Sequence, residues 1–189
     1  MSYITLTELK EYLGIPFEQS EDDNLLLNCA ARAQALVESQ TGRKFEAATE
    51  TRYFTQNEID GQILWLYSDD LQTVTELKNG DGTVIAATDY VLEPLNSSPK
   101  FAVRLKSDLS WEFTDDDSLV SITGTWGFNS TVPEDIKQAT LRTATWLYRQ
   151  KDTTADSDRP LMTNDGVTIM PSALPNDVRQ TLAPYVRRI

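Results

Sequence analysis

The sequence predicts an α+β protein: a helical bundle with an inserted small antiparallel β-sheet or sandwich, and a C-terminal amphipathic docking helix. Three observations carry this. Apolar residues recur at helical spacing toward both ends of the chain. Short runs rich in Val, Ile, Thr and aromatics fill the middle. A polar stretch with Pro160, Gly166 and Pro171 sets the last helix apart. The predicted parts are a helical N-terminal part (1–44), a β-rich insertion (45–130), a helix completing the bundle (131–152), a linker (153–172) and the docking helix (173–189).

The first helix lies in ITLTELKEYLG. Thr5 and Glu8 have the spacing of a capping box, Leu6, Leu9 and Leu13 share a face, and Gly14 is a stop. The second runs from Glu21 to Thr41. Ser20 can cap it, and Glu21, Asp22 and Asp23 sit where the helix dipole favours negative charge. Its apolar positions include Leu26, Cys29, Ala30, Ala33, Leu36 and Val37, and its small residues allow close approach of another helix.

Strand patterns then follow in ILWLY, LQTVTELKNGDGTVIA, YVLEPL, FAVRLK and SLVSITGTWGF, with NGDG marking a hairpin turn. Pro133 suits the first position of the next helix, whose buried face is Ile136, Ala139, Thr140, Thr143, Ala144, Leu147 and Tyr148. VPEDIKQ and LPNDVRQ share one way of entering a helix. In the last helix Val178, Leu182, Tyr185, Val186 and Ile189 fall on one side, and Pro184 cannot donate to Gln180, so a bend is expected. Arg187 and Arg188 complement the helix dipole. This helix has two readings: it folds back to complete its own bundle, or it lays its apolar face in a partner's groove.

Charge and composition exclude several functions. The chain has 189 residues, 40% hydrophobic and 24% charged, enough for a core without disulfides. A net charge of −12 argues against tight nucleic-acid binding, which needs clustered Lys and Arg. Neither a secretory leader nor a membrane span is expected. There is no histidine and one cysteine, which removes Ser-His-Asp and Cys-His arrangements and His- or thiolate-based zinc sites. Cys29 reads as core, no phosphate-cradling loop precedes a Lys-Ser or Lys-Thr pair, and no cofactor is expected.

Asp22–Asp23, Asp69–Asp70 and Asp115–Asp117 read as solvated acidic loops, or as a carboxylate pair assembled by the fold. Trp65, Trp111, Trp126 and Trp146 read as core or interface, or as a ligand platform. The second option in each case defines the alternative function, a carbohydrate-binding or carbohydrate-acting module using Asp116 and Trp111.

Taken in order, ITLTELKEYLGI, ALVESQTGRKF, LQTVTELKNGDGTVIAATDYVLEP, VPEDIKQATLRTATWLYRQKD and LPNDVRQTLAPYVRRI resemble the head–tail connector (head-completion adaptor) proteins of tailed phages. The resemblance implies a non-enzymatic adaptor that forms a homo-oligomeric ring, a dodecamer, beneath the portal after DNA packaging. Such a ring extends the DNA channel and offers a surface to the next tail or stopper protein. It implies a place at the virion's head–tail interface after assembly in the host cytoplasm, with no membrane and no specific DNA contact. Portal docking would then fall to Val178, Leu182, Tyr185, Val186, Arg187, Arg188 and Ile189. Ring contacts would fall to Leu26, Ala30, Ala33, Leu36, Ile136, Ala139 and Leu147. A stopper or terminator ring of the same machinery is the nearby alternative.

Overall fold

Local capping chemistry starts the first helix where the sequence places it. In this computed structural model, which describes residues 2–67, 69–152, 161–162, 168–169 and 174–187, α1 spans Leu6–Leu13. The Glu8 N–H donates to Thr5 Oγ1 (3.1 Å) and the Thr5 N–H donates to Glu8 Oε2 (2.6 Å). Gly14 ends the helix at φ 72, a conformation that strains any side chain with a Cβ. Lys10, on a helix face that sequence reasoning leaves to solvent, is 3% exposed. Its ammonium donates to Gln19 O (2.7 Å) and lies 2.5 Å from Asp23 Oδ1, tying the following turn to the next helix.

The chain divides into two compact units, Met1–Thr41 with Pro133–Val186, and Gly42–Val132 with Arg187–Ile189. In the helical unit, α2 (Asp23–Thr41) and α3 (Glu134–Arg149) pack along their length. They run antiparallel, because Tyr148 and Lys151 at the end of α3 both donate to Asp22 Oδ2 (2.6 Å each), at the start of α2. The seam is small-residue packing: Ala30, Ala33 and Ala144 join Ile4, Leu9 and Leu26 in one buried cluster. Thr140 and Thr143 lie in the same interior and return their hydroxyls to the carbonyls of Ile136 and Ala139 (2.8 Å each), which satisfies them without a second chain segment. Helix α1 rests on both long helices.

Pro133 and Pro175 stand immediately before α3 and α4 (Asn176–Leu182), one residue earlier than the first helical position expected for Pro133. Each carbonyl accepts the first helical bond, from Lys137 and Arg179, so the shared entry is real in geometry. At Pro184 the α-helix has already stopped and continues as a 3-10 turn, Ala183–Tyr185, since proline offers no N–H to Gln180. Within the stretch read as a linker, Leu161–Met162 and Thr168–Ile169 pair as a two-stranded antiparallel ribbon, and the rest of that stretch lies outside the described residues.

The sheet unit is a sandwich. One sheet has the order β1 (Ala48–Phe54), β8 (Val120–Trp126), β4 (Leu71–Lys78), β5 (Val84–Ile85). The other has the order β2 (Ile59–Asp60), β3 (Ile63–Trp65), β7 (Ala102–Leu105), β6 (Tyr90–Glu93), and all pairings are antiparallel. Phe54, Leu71, Leu77, Val120, Ile122 and Trp126 of the first sheet share one core with Leu64, Val103 and Leu105 of the second. Alternation along β8 is strict, with Val120, Ile122, Gly124 and Trp126 buried. A Cβ on Gly124 would come within 2.1 Å of the Thr73 carbonyl oxygen, where the β4 register shifts, so only glycine fits there. The NGDG turn joins β4 to β5 as the sequence indicates, with Asn79 N–H bonded to Thr83 O (2.8 Å).

Hydrogen bonds from the Thr5 backbone, and then from its hydroxyl, hold the Glu8 carboxyl below its ordinary value. A folded-state pKa below the unfolded one adds stability that is complete above the unfolded value and is lost as pH falls through the folded one. Thr5→Ala is expected to cost about 1 kcal/mol at neutral pH. In urea titrations that cost should shrink as pH drops below about 4; a cost independent of pH would contradict the coupling.

Candidate interaction surfaces

Among the described residues no cluster of three or more His, Cys, Asp or Glu is placed to hold a metal. Trp126 and Trp111 are buried in the sandwich core. Trp65 is half-buried and stacks parallel to Phe101 at 6.4 Å between ring centres. The sandwich thus presents none of its three tryptophans as an open platform. Cys29 is buried, and burial raises its thiol pKa, as suits a core residue. No described helix is long and apolar enough to cross a membrane.

The expected docking residues of the terminal segment differ in burial. Val178 and Leu182 are buried, at 1% and 0% exposure, as α4 packs on α3. Their apolar face is spent on the chain's own bundle, so it is not a face that a partner can take as the helix stands. Asp177 accepts from Arg142 Nε (2.7 Å), and Tyr185 donates to Asp135 Oδ2 (2.6 Å), which pins both ends of the segment to α3. That bond pushes the Tyr185 pKa up to about 12. Arg187 also departs from the docking set. Its guanidinium pairs with Asp70 Oδ1 (2.5 Å) and donates to Tyr67 O (2.8 Å) in the sheet unit. Of the five described docking residues Val186 alone is exposed, at 40%; Arg188 and Ile189 lie outside the described residues.

The expected ring contacts lie mostly inside the helical unit. Leu26, Ala30, Ala33, Ile136 and Ala139 are buried within the helical unit, and Leu36 and Leu147 are half-buried. On the solvent side of α2, Leu27 and Ala31 are exposed one turn apart on one flank of the buried stripe, and Leu25 is exposed on the other flank.

Two shallow grooves flank Arg142 along the α3–α4 seam. One, of about 300 Å³, is bordered by Tyr12, Gln138, Ala139, Val178 and Thr181. The other, of about 310 Å³, is bordered by Thr145, Trp146, Arg149, Leu174 and Pro175. Arg142 with its partner Asp177 borders the first, and Arg142 also borders the second.

In the sheet unit Asp70, 7% exposed, sits between two guanidinium groups, Arg43 and Arg187, each at 2.5 Å from Oδ1. Beside it Asp69 pairs with Arg52, whose guanidinium lies over the Trp126 ring at 4.6 Å. Burial raises the Asp69 pKa, and Arg52 and then Arg187 oppose that rise. Burial likewise lowers Arg187, with Asp70 opposing it. Asp69–Asp70 therefore belongs to a buried ion network, not to a solvated loop. Sequence reasoning missed it because the partners stand 27 residues apart for Arg43 and further still for Arg187, with no periodicity to connect them. Asp70→Asn is expected to destabilise the fold by about 3 kcal/mol, since it leaves two buried cations facing a neutral group. A shift below about 0.5 kcal/mol in equilibrium denaturation, within the range of an ordinary surface change, would mean that the network carries no stability.

The family model described as head completion protein matches residues 2–189. No curated protein sequence matches the chain. Among solved structures it is similar to a chain in the neck of an empty gene transfer agent (GTA) particle computed with C6 symmetry, at 19% identity and TM-score 0.70, over 99% of this chain and 91% of that one. It is similar to a chain in the neck of the native GTA particle computed with C12 symmetry, at 20% identity and TM-score 0.65, over 97% and 89%. A chain in the virion of the native GTA particle matches at 22% identity and TM-score 0.62, over 99% and 91%.

Proposed function

The chain belongs to the head completion protein family, and on that premise we propose that it is a non-enzymatic adaptor at the head–tail junction of a tailed-phage-like virion. Copies assemble side by side into a ring, a dodecamer, that seats on the portal after DNA packaging. The ring lengthens the DNA channel and offers the next tail or stopper protein its landing surface. The family match along residues 2–189 carries this reading. The C12 symmetry named for one similar neck structure supports the twelvefold number.

The physical chemistry agrees with such a role. A lumen lined by a chain of net charge −12 gives phosphates nothing to bind, so no counterions are released and duplex slides through. Since the α2–α3 seam is internal, the ring contact falls to the exposed flank of α2 that carries Leu27 and Ala31, one turn apart, against a second copy. Portal docking falls to the terminal residues that the bundle does not consume, Val186 first. The carbohydrate alternative gains no support from a sandwich whose tryptophans are buried or stacked.

Leu27→Asp is expected to weaken self-association at least about tenfold, because a charge replaces an apolar contact at the subunit boundary, while far-UV circular dichroism stays unchanged. Unaltered association would remove α2 from the boundary. Removing all of 174–189 would also remove buried Leu174, Val178 and Leu182, so docking is better probed by Val186→Asp combined with loss of residues 188 and 189. Filled heads that no longer acquire tails are the expected product; heads that mature normally count against docking by this end.

A further inference from the structure

Thr145 differs from the two other buried threonines of α3. Thr140 and Thr143 satisfy their hydroxyls on the preceding turn. Thr145 is 4% exposed, yet its Oγ1 has no hydrogen-bond partner among the described residues, and the residue borders the groove of about 310 Å³. An unmet buried hydroxyl is costly, and a group entering the groove would recover that cost. The rest of the lining states what that group is. Trp146, Leu174 and Pro175 offer apolar surface, and Arg142 and Arg149 offer guanidinium groups. Arg142 is engaged by Asp177, whereas Arg149 is exposed and has no ion pair among the described residues. The fitting ligand is a peptide segment carrying a carboxylate next to an apolar side chain.

The chain itself displays such a segment on its sheet unit. In Thr114–Leu119, Asp115 is consumed by the turn, accepting from Ser118 Oγ (2.8 Å) and from the Asp117 N–H (3.1 Å). The Asp116 and Asp117 carboxylates are exposed and make no bond among the described residues, and Leu119 is 42% exposed. A chain of net charge −12 repels its own copies unless opposite charges meet locally.

Resting on the ring reading above, we propose that the Thr145 groove of one subunit receives the acidic segment 114–119 of the next. One carboxylate meets Arg149, Leu119 lies against Trp146 and Pro175, and the Thr145 hydroxyl gains its missing partner. The contact joins two different patches, a loop of the sheet unit and a groove of the helical unit, and a heterologous contact of that kind is what a closed ring requires.

A charge swap tests it. Arg149→Glu in one protein, and Asp116→Lys with Asp117→Lys in another, should each weaken self-association in sedimentation at least about thirtyfold, as like charges then face each other. An equimolar mixture of the two should recover association to within about threefold of the parent chain, because every loop–groove pair in an alternating ring is again of opposite sign. Thr145→Val, which keeps the shape and removes the hydroxyl, should weaken association about fivefold. If the parent chain associates and neither reversal changes it, or if the mixture of folded variants stays apart, this contact is overturned while the ring stands. A parent chain that stays monomeric up to about 1 mM, the weak end of the affinity scale, overturns the ring and the contact together.

Discussion

The antiparallel pairing of α2 with α3 is the constraint on which the helical unit depends. Small side chains let the two backbones approach, and the buried threonines at 140 and 143 close their own hydrogen bonds, so the seam accepts them without solvent. Asp22 fixes the register at one end by accepting from both Tyr148 and Lys151. At the other end, antiparallel packing brings the C-terminus of α2 near the N-terminus of α3. That is the condition for inserting residues 42–132 as a separately packed sandwich without disturbing the bundle. The sandwich closes its own entry and exit in turn, with Phe128 N–H bonded to Lys44 O (2.8 Å) and Glu46 bridged to Asn129.

Using the α2–α3 seam internally decides what is left for partners. The most apolar helix faces are consumed, and α4 adds Val178 and Leu182 to that interior. What remains outside is modest: the far side of α2, the α3–α4 grooves, and acidic loops of the sandwich. Surfaces of that kind suit subunits that fold alone and then assemble, since each buries its core before meeting a neighbour. A net charge of −12 sets copies of the chain against one another except where opposite charges meet locally.

Much of the fold was legible in residues. The Thr5–Glu8 box, the Gly14 stop, the NGDG turn, the β8 alternation and the proline-led entries to α3 and α4 all act over a few positions, and sequence spacing is a sufficient record of them. The candidate surfaces were less legible. Leu26, Ala30 and Ile136 show helical spacing whether they face a sister helix or a sister subunit, so periodicity marked a buried face without saying what buries it. The same ambiguity holds for Val178 and Leu182, which are buried in the chain's own bundle.

The sequence by itself determined the order of the helical and strand-rich parts, that the architecture is α+β, and that the chain is strongly acidic, while β1 (Ala48–Phe54) and the ribbon of Leu161–Met162 with Thr168–Ile169 carried no pattern that marked them. Order, architecture and acidity follow from local propensity, periodicity and charge. Only the tertiary structure decided that Lys10 is buried against carbonyls, that Asp70 lies between Arg43 and Arg187, and that Thr145 borders a groove with its hydroxyl unmet. The reason is physical. Each depends on groups far apart in the chain meeting at hydrogen-bond distance, and no one-dimensional pattern encodes which distant polar groups will meet.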